Sequence, residues 1–347
     1  MPVAVSEDRI LLKHGAGGRA MRRLIEEAFV RAFAPVPDSP AGMVGVAAMD
    51  DGGAVRVGER WLVMTTDSHV IEPAFFPGGD IGRLAVSGTV NDLAMMGATE
   101  VLGLTVAVIL EEGFPRASLD RILVSMRDTC REASTLVLTG DTKVMGKGEL
   151  DGIVINTAGF GLTDRLVRDS GLKPGDRLIV TGTLGDHGMA VMARRHGLAL
   201  EADLVSDVAP INGLIRLALA AAPGAITAMK DPTRGGAASA LHEMAEKSGV
   251  GIVLDERALP VRDAVRGVSE LVGIDPLLAA NEGKAIIGVH EEAAARVLSA
   301  LHTHPLGGRA AIVGRCTEER AGMVILDTGL GSRLVAEPEG ELLPRIC

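Results

Sequence analysis

Tyrosine is absent from this chain, tryptophan occurs once (Trp61) and phenylalanine six times. Nucleic-acid bases stack on aromatic faces, so so poor a supply nearly excludes a base-stacking platform. Basic residues are in the minority too: 35 Lys plus Arg stand against 45 Asp plus Glu, a formal charge of −10. That balance argues against a general binder of nucleic acid or anionic membrane. Cysteine is scarce. The three present, Cys130, Cys316 and Cys347, make no disulfide framework, and no Cys-x-x-Cys pair offers a zinc site. The longest clean apolar run, about residues 101–110, is too short to span a bilayer. Residues 1–10 lack the basic and apolar layout of a signal peptide. A soluble cytoplasmic protein is the expectation.

Glycine is abundant, 44 of 347 residues, set singly or in pairs between apolar segments as tight turns require. With 47% hydrophobic and 23% charged residues, the chain has the material for a large core and the length of two domains. A short strand is expected at 10–12, leading into the loop His14-Gly15-Ala16-Gly17-Gly18. A helix over 21–33 should follow, ended by the segment 35–40. Strands fit 60–66, 102–110, 136–138 and 152–161, with helices near 81–96 and 119–133. In the last of these, Leu119, Ile122, Leu123, Met126, Cys130 and Ala133 share one apolar stripe, which makes Cys130 a small buried hydrophobe. Charged residues and Lys173-Pro174-Gly175 place a boundary within 165–176. Beyond it, strands fit 177–181, 251–254, 285–290, 311–314 and 323–326, and helices fit 189–196, 212–221, 236–248 and 291–301. The division is 1–168, 169–335 and a tail, 336–347, with α/β or α+β character in both large parts.

Two glycine loops come close to nucleotide motifs and fail. Gly15-Ala16-Gly17-Gly18-Arg19-Ala20 has the outline of a dinucleotide turn, but no strand ending in an acid follows where the ribose would need one. The loop can still cradle an anion on its backbone N–H groups. Residues 140–148 carry five residues between Gly140 and Gly146 where a Walker loop has four, and Gly148 replaces the magnesium-binding Ser or Thr.

Acids suggest another design. Asp51, Asp67, Asp141 and Asp231 sit at predicted strand ends or in glycine-flanked loops. Each alone fits a turn or helix cap. Asp92 is different, because it lies on a helix of otherwise small and apolar residues and loses hydration there unless compensated. Carboxylates in such a set suit magnesium and a polyphosphate. Lys143 would share a face with Asp141 if 139–144 is extended. Glu282, before an apolar strand, is a candidate base. His14, His69, His187 and His242 show no metal spacing. The sequence ends Leu343-Pro344-Arg345-Ile346-Cys347 after a polar Pro- and Gly-containing stretch, so Cys347 is expected on a mobile tail, with Arg345 favouring its thiolate.

Taken together these residues resemble the HypE family of hydrogenase-maturation carbamoyl dehydratases, in the superfamily of aminoimidazole-ribotide and selenophosphate synthetases. The resemblance runs the full length. It rests on His14 to Gly18, Thr66-Asp67-Ser68, Phe75 to Asp80, Asn91-Asp92-Leu93-Ala94 and Thr139 to Val144. In the second half it rests on Gly182 to Gly188, Asp231-Pro232-Thr233-Arg234-Gly235-Gly236, Ala280 to Lys284 and the closing Pro344-Arg345-Ile346-Cys347. It implies a two-domain PurM-like α/β (α+β) architecture, with an amino-terminal half-barrel domain that pairs into a homodimer. It implies that Cys347 receives a carbamoyl group from HypF and is dehydrated with ATP and Mg2+ to a thiocyanate. The cyano group would then pass to iron on a HypC–HypD complex. Asp51, Asp67, Asp92 and Asp231 would hold magnesium and phosphates, and Gly15, Gly17 and Gly18 would form the nucleotide loop. Asp141 and Lys143 would line the nucleotide and tail site, with Glu282 and Lys143 in proton transfer. A selenophosphate synthetase-like enzyme is the rival, but no cysteine precedes Cys130 to serve it; a non-enzymatic thiol carrier is a second.

Overall fold

The computed structural model describes residues 9–33, 42–198, 204–340, 343 and 345–347. The helix stop at 35–40, and Glu341 and Pro344 of the tail, lie outside the described residues. Helix α1 (Arg19–Leu24) runs on through a π-helical stretch, Ile25–Val30, as the spacing predicts. The strand expected at 10–12 does not form. Leu12–Gly15 is a 3-10 helix, and Ile10, Leu11 and Leu12 are exposed with no strand beside them to complete a ladder.

The strands of the first half are β1 (Gly53–Val57), β2 (Arg60–His69), the short pair β3 (Phe75–Phe76) and β4 (Gly79–Asp80), β5 (Glu100–Glu111), β6 (Val137–Met145) and β7 (Ile153–Thr163). Five of them form one sheet in the order β1-β2-β7-β5-β6. Burial along β7 alternates at every residue, so the sheet has one covered face and one open face. The cover is α2 (Ile81–Met95) and α3 (Arg116–Glu132). Cys130 is buried on α3, as its stripe predicts. Strand β6, expected over 136–138 only, is nine residues long and exposed along its whole length.

The second half contributes β8 (Arg177–Val180), β9 (Ile226–Lys230), β10 (Gly251–Asp255), β11 (Ile286–Val289), β12 (Ala311–Thr317), β13 (Val324–Asp327) and β14 (Ser332–Leu334), ordered β14-β13-β10-β12-β8-β11-β9. Its helices are α4 (Asp186–Arg195), α5 (Asn212–Ala221), α6 (Gly236–Ser248), α7 (Asp263–Val272) and α8 (Glu291–His302). Both sheets are open. Helices α5 and α6 match the predicted spans; β9 and α7 were not anticipated. Among the described residues no helix is long and apolar enough to cross a membrane.

Helix α2 joins the halves. It packs on the first sheet, on α3 and on α5, so it is buried almost all round. Asn91 fixes it there: its side-chain amide donates to the Ala209 and Glu282 carbonyls, and its Oδ1 accepts from the Ile211 N–H at 2.8 Å. The next residue is Asp92. The packing that makes α2 a strut therefore also strips water from that carboxylate.

Candidate active site

A cavity of about 750 Å³ lies between the halves. Its wall holds Asp51, Asp67 from β2, Asp92 from α2, Asp231 just beyond β9, Glu282 before β11, and Cys347. Seven acids line it against three bases, Arg22, Lys230 and Arg234. The lining also has apolar members, among them Val44, Val46, Met49, Met64 and Phe160.

Each acid is held by its local structure. Lys230, the last residue of β9, places Nζ 2.6 Å from Asp51 Oδ1 and 3.3 Å from Glu243 Oε2 on α6. Asp50 pairs with Arg168 at 3.0 Å, while Asp51 meets Lys230 and leaves its Oδ2 buried without a hydrogen-bond partner. Thr65 Oγ1 lies 2.9 Å from both Asp92 Oδ2 and the Asp51 carbonyl. Asp67 Oδ1 accepts from the Ser68 N–H at 2.8 Å, and Asp67 Oδ2 sits 3.4 Å from His69 Nε2. A Cβ on Gly88 of α2 would lie 3.1 Å from that same Asp67 oxygen, so glycine there leaves the carboxylate its room. Glu282 Oε1 is buried and unpartnered.

Crowded acids resist ionising. Burial, and then Asp231, Asp67 and Asp51, push the Asp92 carboxyl well above the carboxylate range. Burial, and then Asp231 and Asp67, do the same to Glu282. Burial raises Asp231 to about 6 against the pull of Lys230. Lys230 is the counterweight. Burial works to strip its proton, but Asp51, Glu243 and Asp169 together outweigh it and raise its pKa.

A raised carboxyl means that the folded chain binds a proton the unfolded chain releases. For Asp231 the stability so gained is present at low pH and is lost as pH rises from about 4 to about 6. The shift corresponds to roughly 3 kcal/mol. The ligand-free Asp231→Asn variant is therefore expected to be more stable than the parent at pH 7 and to lose the slope in that window. Melting temperature measured against pH checks both; an unchanged slope would take the strain away from Asp231.

Among the described residues no group of three or more His, Cys, Asp or Glu side chains is set to hold a metal ion on its own. Magnesium is commonly bound by one or two carboxylates together with substrate phosphates, not by an all-protein cage. The unpartnered Asp51 Oδ2 and the surplus of acids are the oxygen donors such a metal–phosphate group takes, so the donor set fits it.

Several expectations need correction. Asp141 and Lys143 do share a face of β6, paired at 3.2 Å, but both are exposed at the sheet edge and do not line this cavity. The physical reason is the strand order: β6 is the last strand, away from β2. Gly17 and Gly18 line the cavity; Gly15 does not, and its carbonyl accepts from Arg234 at 3.4 Å. The first amide of α1 is occupied, since the Arg19 N–H donates to the Pro338 carbonyl at 3.1 Å. Glu337 beside it pairs with Arg19 and Arg22, so the described part of the tail lies docked on the body. Nor does Arg345 serve the thiol: it pairs with Asp151, and its Nε donates to the Val70 carbonyl. Burial pushes the Cys347 thiol up, and the cation that opposes this is Arg234. Lys230, Glu243, Asp169 and Arg234 were not singled out from sequence, although Arg234 stands in the quoted Asp231 to Gly236 loop.

Residues 49–163 match the family of AIR synthase related protein, N-terminal domain, and residues 173–327 its C-terminal domain. The carbamoyl dehydratase HypE of Rhizobium leguminosarum bv. viciae is 46% identical over 346 residues, covering 99% of this chain and 96% of that protein. The crystal structure of a HypE–HypF complex superposes with a TM-score of 0.83 at 43% identity, covering 91% of this chain and 99% of that one. HypE in complex with ATP gives 0.79 at 41% identity, covering 98% and 100%. With an acid-lined cavity between two such domains and likeness of this extent, the chain belongs to the HypE family of carbamoyl dehydratases, enzymes of hydrogenase maturation.

Proposed function

We propose that the chain uses ATP to dehydrate a carboxamide carried on its own Cys347, giving a thiocyanate that supplies the cyanide ligand of a [NiFe]-hydrogenase iron centre. The observation that carries this reading is that Cys347 shares one cavity wall with Asp51, Asp67, Asp92, Asp231 and Glu282. An amide oxygen leaves poorly. When it attacks the γ-phosphorus of ATP, ADP departs and one N–H proton is released, giving an iminophosphate; loss of phosphate together with the second N–H proton leaves S–C≡N. We assign that second proton to Glu282, which shares the wall. Arg234 faces both the sulfur and Glu282 and holds negative charge beside them. The apolar lining residues suit a base and the acidic ones a metal-bound triphosphate. Asp51, Asp67, Asp92 and Asp231 would hold Mg2+, which when bound neutralises phosphate charge and orients the transferred group.

The donor of the carbamoyl group is HypF, a reading supported by the HypE–HypF complex among the similar structures. HypC–HypD is the acceptor that the family resemblance implies. Both encounters require the tail to leave its dock, so its mobility belongs to this reading. So does a homodimer. The open sheet face bears Ala158 and Phe160, which also line the cavity, and it continues to Asp141 and Lys143 on the unpaired edge β6. A second copy seated there would cover Lys143 beside a cavity mouth, which gives that residue a role one chain alone does not.

Intact-mass spectrometry after incubation with HypF, carbamoyl phosphate and Mg-ATP tests the reading. A gain of about 43 Da, followed by a loss of about 18 Da, is expected on one residue. A chain that stops at the first adduct is a carrier, not a dehydratase. Native spectra of the same sample read the assembly, and monomer alone would remove the homodimer.

A further inference from the structure

We propose that His187, with the backbone of residues 70–72 and Arg195, forms a clamp that takes the backbone carbonyls of the tail, leaves the Cys347 side chain untouched, and so fixes Cys347 in the cavity whatever its sulfur carries. The proposal deepens the reading above and rests on it for its purpose, though not for its geometry.

Three successive carbonyls of the tail are taken. The Glu72 N–H donates to the Arg345 carbonyl and the Val70 N–H to the Cys347 carbonyl, each at 3.2 Å. That spacing of two is the alternation of a strand pair. The carbonyl between them, on Ile346, accepts from His187 Nε2 at 2.7 Å. Arg195, from the end of α4, donates to the carbonyls of Glu72 and Arg345 and ties the two segments together. Leu343 and Ile346 are buried, which adds an apolar anchor on each side of residue 345.

The ring of His187 is set for one task. A carbonyl can only accept, so Nε2 carries the proton. Nδ1 lies 2.7 Å from Ser206 Oγ, which itself accepts from the Val208 N–H at 3.1 Å and so turns its own proton to the ring. Burial holds the imidazole neutral, in keeping with this tautomer. Phe76 packs edge-on against the ring with centroids 5.3 Å apart and fixes its plane. None of these contacts touches the Cys347 side chain. A thiol, a carboxamide and a nitrile at that sulfur therefore meet the same grip, and His187 is a positioning residue for all three.

Alkylation of the full-length chain by iodoacetamide, without nucleotide or carbamoyl donor, reads the clamp. Docked, Cys347 is partly exposed on the cavity wall but its thiol is held protonated there, so labelling runs chiefly through the undocked state and its rate follows that population. Cys130 and Cys316 are buried and serve as internal references in the digested protein. His187→Phe keeps a ring against Phe76 and loses the donor; labelling of Cys347 should rise about tenfold, as loss of a hydrogen bond to a buried carbonyl implies. His187→Gln restores a donor and should label within about twofold of the parent. Arg195→Met tests the same clamp from a partly exposed side chain and should also label several-fold faster. Labelling of Arg195→Met at the parent rate, or of a folded His187→Phe at the parent rate, overturns the clamp, as does a His187→Gln that labels as fast as His187→Phe. Dehydration plays no part in this assay. Should the intact-mass experiment fail while labelling behaves as stated, the clamp stands and the catalytic reading falls.

Discussion

Cys347→Ser abolishes both mass adducts, the carboxamide and the nitrile, while affinity for Mg-ATP stays within about twofold of the parent. Serine matches cysteine in shape but is a far weaker nucleophile, and a hydroxyl is not activated by a nearby guanidinium alone. The remaining cysteines cannot substitute. Burial pushes the Cys130 thiol up to about 11 and, with Asp176, the Cys316 thiol up to about 12, and neither lines the cavity. The expected fall is complete, not graded. A serine variant that still gains about 43 Da would move the acceptor elsewhere, and loss of nucleotide affinity with the adduct would make the sulfur part of the cavity's architecture.

Glu282→Gln leaves the first adduct intact and slows its dehydration by about 10²- to 10⁴-fold, the range for a lost general base. The amide fills the same space but takes no proton. The environment of Glu282 gives this prediction a pH signature. Burial, Asp231 and Asp67 hold the carboxyl protonated well past its ordinary range. A base must be ionised to act, so single-turnover dehydration should rise with pH through the raised pKa and fade below it. A magnesium ion bound at Asp231 and Asp67 would weaken two of the four influences that keep the proton on, the others being burial and Asp207. On the proposed reading the acid limb should therefore sit lower with Mg-ATP present than without it. A single-turnover profile of the parent and the variant decides the matter: a variant with the parent's rate, or with the parent's acid limb, would clear Glu282 of this role.

How far the sequence carried these conclusions depends on the signal each residue leaves. Asp92 stood out because an acid among the small residues of α2 loses hydration, whereas Asp51, Asp67, Asp231 and Glu282 each fit a turn, cap or loop alone and gained weight only as a set and through the family resemblance. Helices α5 and α6 were legible from their period. Lys230 was hidden because no strand was expected between the helices at 212–221 and 236–248, where the structure has the buried β9, whose last residue is this lysine. Asp169 lay in the segment read as a domain boundary, yet its side chain is fully buried and paired at 2.5 Å with Lys247 of α6. No periodicity reports a contact between residues that distant in sequence. Asp141 and Lys143 show the opposite failure. Their shared face was predicted correctly, but the position of β6 at the end of the sheet is set by pairing, which local spacing does not encode. The docked tail is a third case. Its composition reads as solvent-loving, and much of its hold on the body comes through carbonyl groups that every residue possesses, beside ion pairs of Glu337 and Arg345 that local spacing does not encode.

The bond between Lys230 and Asp51 bears on what happens between turnovers. A catalyst of this kind must empty itself each cycle, and an emptied cleft of crowded carboxylates would tend to push its two halves apart. Here an ammonium group rooted in one half reaches across to an acid of the other. On the proposed reading, this ammonium would offset part of the acids' repulsion whenever no metal ion is bound.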